Sequence, residues 1–69
     1  MVVQKSQINN GMTTHTFVTI GMKTYCHSNN GVETLVFPAR MKNDGYEIAD
    51  FSEILDNNLV SKINKIVEG

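Results

Sequence analysis

Few residues of this chain have types and spacings able to do chemistry. They are one cysteine, two histidines, carboxylates gathered in the second half, and a small basic set beside a tyrosine. Cys26 and His27 are adjacent, so on an extended strand they point to opposite faces and cannot act together. His15 is the histidine that an antiparallel pairing brings diagonally onto the face of Cys26. A cysteine nucleophile needs a base within hydrogen-bond reach and a site for the developing oxyanion. The sequence offers a base and no oxyanion site, so Cys26 reads as a core residue with His15 at an edge.

The carboxylates Asp44, Glu47, Asp50, Glu53 and Asp56 have the chemistry to hold a cation or share a proton, but each has a structural duty close by. Asp44 belongs to a turn, Glu47 faces Lys42, and Asp50 with Glu53 has the spacing of a helix capping box. Asn43-Asp44-Gly45 lacks the other ligands of a calcium loop, and no Cys/His set has zinc spacing. The turn glycines 11, 21, 31 and 45 make no phosphate-binding pattern. The expectation is a protein with no catalytic residue, no metal and no cofactor, and therefore not an enzyme.

Lys23, Tyr25, His27, Arg40 and Lys42 form the basic-aromatic constellation of the chain. Single-stranded nucleic acid is held by such surfaces, where cations track phosphates and rings stack on bases. Glu47 offsets part of that charge. The balance of six Lys/Arg against seven Asp/Glu is not that of a duplex-DNA binder.

The elements that must position these residues can be read from turns. Thr14 to Ile20 is β-branched and aromatic, as a half-buried strand requires. Gly21-Met22 has the glycine-first chemistry of a type II′ hairpin turn, and Asn30-Gly31 is a strong hairpin signal. Strands from Lys23 to Ser28 and from Val32 to Phe37 follow, the latter continuing extended to Lys42 past Pro38, a residue that marks an edge or a bend. Asn43-Asp44-Gly45 turns the chain into a short strand, Tyr46 to Ala49. This register sets Phe17 opposite Cys26, Cys26 opposite Leu35, Met41 beside Ile48 and Lys42 beside Glu47. Alternation then gathers Phe17, Cys26, Leu35, Phe37, Met41, Tyr46 and Ile48 on one face.

Phe51, Ile54, Leu55, Leu59, Ile63, Ile66 and Val67 recur at spacings of three and four, the stripe of an amphipathic helix. Asp50 is its expected N-cap, and the poor helix formers Asp56-Asn57-Asn58 mark a point where it kinks or breaks. The predicted fold is α+β: a four-stranded antiparallel β-meander followed by a C-terminal amphipathic helix packed on one sheet face. The expected seat of the helix is the Phe17/Leu35/Phe37 face. Residues 1–12 are expected as a flexible N-terminal arm or extension, and 13–69 as a single ββββα domain.

At 69 residues the chain buries only about 60% of its unfolded surface. With one cysteine and no metal set, oligomerisation is the remaining support for so small a core. The face opposite the expected helix seat carries Val18, Ile20, Tyr25 and Val36, an apolar strip where a solvated sheet would be polar. These four are the expected partner interface. The functional expectation is a small non-enzymatic protein–protein interaction or regulatory module, acting as a homodimer or as an accessory subunit of a larger complex. The alternative is a single-stranded nucleic-acid-binding protein using the open sheet face. No apolar run reaches the roughly 18 residues of a membrane span. The first residues lack the apolar core of a signal peptide, which with a lone thiol makes the cytoplasm the expected location.

Overall fold

A computed structural model describes the backbone of residues 3–68, and the side chains of residue 9 and of residues 11–68. The chain forms β1 (Val3–Asn10), β2 (Thr13–Ile20), β3 (Lys23–Asn29), β4 (Thr34–Lys42), β5 (Gly45–Ile48) and α1 (Asn57–Glu68). The strands make one antiparallel sheet in sequence order, a meander followed by a C-terminal helix, as the turn chemistry predicts. The meander has one strand more than expected. Residues Val3–Asn10, read from sequence as an arm, pair along their whole length with β2, from Val3 opposite Ile20 to Asn10 opposite Thr13.

The turns explain the pairing. Gly21 has φ +63° and, among the described residues, none other than glycine has a positive φ, so Met22 follows with a negative one, as a type II′ turn requires. Gly11-Met12 repeats that arrangement with Gly11 at φ +65°, and this second Gly-Met turn is what folds β1 back onto β2. The β3–β4 connection is wider than a two-residue turn. Asn30 Oδ1 accepts from the backbone N–H groups of Val32 (2.9 Å) and Glu33 (2.8 Å), which holds four residues in the loop. Cys26 therefore lies opposite Phe37, not Leu35. The β4–β5 turn is Asn43-Asp44, which sets Met41 opposite Tyr46 and Arg40 opposite Glu47, not Met41 beside Ile48 or Lys42 beside Glu47. Both departures from the predicted register are two residues, so every side chain keeps its face.

Pro38 stands where β4 changes from an interior strand to an edge. β5 pairs with β4 only from Ala39 onward. The Pro38 carbonyl faces that edge and accepts from the Ala49 N–H (2.9 Å), so the N–H that proline lacks would have pointed where the ladder ends. Beyond Ala49 the chain leaves the sheet and returns to it when the Ile54 N–H donates to the Val36 carbonyl (2.8 Å).

The helix starts later than the apolar stripe predicts. Asp56, not Asp50, is the N-cap: its Oδ1 accepts from the N–H groups of Asn58 (3.0 Å) and Leu59 (3.3 Å), and its carbonyl takes the first helical bond from Val60. Asp50 instead closes a local turn through the Ser52 N–H. The Asp56-Asn57-Asn58 run is therefore a start, which suits residues whose side chains compete for backbone N–H groups.

Two cores lie on opposite faces of the sheet. Val18, Val36 and Ile63 are buried together, with Ile20, Tyr25, Ile54, Leu59 and Val60 packed against them. On the other face Phe17, Cys26 and Phe37 form a buried row across three strands. Phe17 on β2 stacks on Tyr46 of β5 with ring centroids 5.4 Å apart. In a flat sheet strands three steps apart are separated by about 14 Å, so the sheet must curl over this face. That face is concave, and the helix occupies the convex one.

Candidate functional site

The helix sits on the face opposite to the one expected. The row read as a partner interface is its seat: Val18 is 0% and Val36 2% exposed beneath Ile63, and Ile20 and Tyr25 pack at its margin. Two physical reasons favour this seat. Curling brings Phe17 and Tyr46 together and closes the concave face on itself, where a helix about 10 Å across does not fit. The convex face is aliphatic and low, and Ile54 carries the chain onto it from the Val36 edge. The partner that covers Val18 and Val36 is thus this chain's own α1.

The basic-aromatic set divides. Lys23, Tyr25 and Arg40 line one open groove of about 630 Å³ between the start of α1 and the β3–β4 end of the sheet, together with Met22, Met41 and Leu59. His27 is elsewhere: it is buried under α1, and its Nε2–H donates to Asn64 Oδ1 (3.0 Å). Arg40 is held by Glu47 through both Nε (2.7 Å) and a terminal guanidinium nitrogen (2.6 Å), the consequence of their facing register. Lys42 lies outside the groove lining and near Asp44 at 3.8 Å. Tyr25 gives part of its ring to the helix contact, which leaves less of it for stacking. Among the described residues only Lys23 keeps both a place in the groove and an uncompensated charge.

The possible nucleophile and its base do meet, on the concave face. Cys26 Sγ is 3.7 Å from His15 Nδ1 and 3.4 Å from Ser28 Oγ, and Ser28 Oγ is 2.8 Å from His15 Nδ1. Cys26 is fully buried, and burial pushes its thiol above its ordinary pKa, opposed in part by the hydrogen bond with Ser28. A protonated, inaccessible sulfur is not an activated nucleophile. The triangle satisfies polar groups in an apolar setting, which is a structural duty.

Among the described residues no group of three or more His, Cys, Asp or Glu is arranged to hold a metal ion. Asp44, Glu47, Asp50 and Asp56 are engaged by Lys42, Arg40, Ser52 and the helix start respectively. No helix of the described residues is long and apolar enough to cross a membrane.

Sequence reasoning overlooked two exposed side chains. Phe51 and Leu55 fall in the helical stripe and so count as core, but the chain between β5 and α1 is not helical. They stand 76% and 77% exposed. The Phe51 ring lies tilted against Phe37 with centroids 5.8 Å apart. The signal lay in Asp56-Asn57-Asn58: taken as a cap, it removes everything before it from the helix. Comparison with known proteins finds no matching family model, no matching curated protein and no matching solved structure.

Proposed function

We propose that this protein is a non-catalytic interaction module that acts by self-association or as an accessory subunit of a larger complex. The observation that carries the reading is the exposure of Phe51 and Leu55 on the segment that crosses the β4 edge. A domain this small has few large apolar residues to bury, and leaving two on one short segment in water costs stability that a partner surface would restore. Met41 and Met22 add exposed, adaptable apolar side chains at the β3–β4 end. A free buried Cys26 suits a reducing compartment such as the cytoplasm.

Light scattering over a range of concentrations, on the wild type and on the double variant Phe51→Asp/Leu55→Asp, tests this. The wild type is expected to exceed the mass of one chain, alone or with protein captured from a lysate. The variant is expected to remain folded and run as one chain. A wild type that stays monomeric and captures nothing, or a variant that associates as the wild type does, overturns it.

A second reading, binding of single-stranded nucleic acid, is favoured by the meeting of Lys23, Tyr25 and Arg40 in one groove. It is weakened by the Glu47 and Asp44 contacts that neutralise Arg40 and Lys42. Salt-sensitive binding of an oligonucleotide that Lys23→Glu abolishes would make it the leading reading.

A further inference from the structure

We propose that the mouth of the concave face is a binding site for a neutral, single-ring aromatic molecule carrying one hydroxyl group, a ligand of the phenol type. The two ends of this face differ. The Phe17–Tyr46 stack fills one end. The other is a cavity of about 170 Å³ whose apolar border is Leu35, Phe37, Ile48 and Phe51 and whose polar border includes His15, Ser28, Thr13 and Asn30. Apolar cavities near 150 Å³ hold a benzene ring, so the space matches the size of one ring. Leu35, Phe37 and Ile48 supply an apolar wall, and Phe51 leans over the opening against Phe37.

The polar side of the cavity decides the head group. Ser28 and Cys26 together hold Nδ1 of His15. Among the described residues the other ring nitrogen, Nε2, has no protein partner and is not buried, so water reaches it and a ligand would take that water's place. If Nδ1 accepts from the Ser28 hydroxyl, Nε2 carries the proton and donates; if Nδ1 donates, Nε2 accepts. A ligand hydroxyl both donates and accepts, so it satisfies either tautomer without rearranging the Cys26–Ser28–His15 contacts. Glu33 also borders the cavity, which favours a neutral ligand over an anionic one.

The test is an NMR titration of the isotope-labelled full chain with phenol and with toluene, which have the same ring and differ in the hydroxyl. Phenol is expected to give saturable shifts at the amides of His15, Ser28, Leu35 and Phe37, with a dissociation constant on the order of a millimolar for so small a probe. Toluene is expected to bind about fivefold more weakly, the worth of one hydrogen bond. His15→Leu is expected to erase that preference while toluene still binds, and Leu35→Trp to abolish both by filling the space. Shifts that do not saturate, shifts that map to the Lys23/Tyr25/Arg40 groove, or a phenol preference that survives His15→Leu would each overturn the assignment.

Discussion

The same three strands build both faces of the sheet, yet the faces are closed by different means. The convex face has an aliphatic centre, Val18 and Val36, flanked by Tyr25, Thr16 and His27, and is shut by Ile63 from a helix that begins some twenty residues after Val36. The concave face is aromatic and partly polar, with Phe17, Phe37, Tyr46, Cys26, His15 and Ser28, and is shut largely by curvature. The rings of Phe17 on β2 and Tyr46 on β5, three strands apart, meet because the sheet curls, whereas short branched side chains leave a surface on which a helix can lie. The face closed by the helix is packed at its centre and keeps open grooves at the two ends of α1. The face closed by curling also has an open mouth, with the exposed Phe51 on its rim.

This contrast can be broken most forcefully from the helix side. Ile63 is fully buried and is the helix residue at the centre of the convex core. Ile63→Ala is expected to cost about 2–5 kcal/mol, a large part of the stability of a domain this size. Urea unfolding followed by circular dichroism reads it. A loss well below 1 kcal/mol would mean that the helix contributes little to holding the sheet.

A smaller effect is expected on the concave side. Tyr46→Leu keeps an apolar side chain opposite Phe17 and removes only the ring pairing, which is worth about 0.5–1.5 kcal/mol. The same unfolding experiment should show it, with the helical signal retained up to the transition. If Tyr46→Leu proves as damaging as Ile63→Ala, curvature and helix are not separate closures.

How much of this was legible depended on the kind of signal. Glycine-bearing turns located three of the four hairpins and their strand order, because a positive φ is a local demand that only the turn residue can meet. Loop width was not legible at Asn30, whose side-chain oxygen holds two N–H groups and adds a pair of residues to the turn. That error was even in number, so the faces survived it. Strand β1 was missed because Gln, Ser, Asn and Lys have low β propensity. Its turn, Gly11-Met12, repeats the Gly21-Met22 dipeptide and was the overlooked clue. Residue size alone points the helix to the wrong face. The choice of face depends on sheet curvature, a property of the whole sheet that no single residue announces. The Cys26–His15 proximity was legible from register alone, and the exposure of Phe51 and Leu55 became so only once Asp56 was recognised as the cap.

The smallest expected effect concerns pH. Burial raises the Cys26 thiol above its unfolded value, so the neutral thiol favours the folded state. This contribution is full below the ordinary thiol pKa of about 8.5 and is lost as pH rises from there through the elevated value. Folding stability should therefore fall in alkaline solution more steeply for the wild type than for Cys26→Ala. Equal slopes would place Cys26 in water, and the concave face would then be open down to its floor.

The assignment of the two faces is the claim on which the functional readings rest, and methyl-resolved nuclear Overhauser spectroscopy tests it most directly. Contacts from the Ile63 methyl groups to those of Val18 and Val36 are the predicted result. Contacts from Ile63 to the rings of Phe17 and Phe37 would contradict it: the helix would then fill the concave face, and the Val18/Val36 strip would be free for a partner.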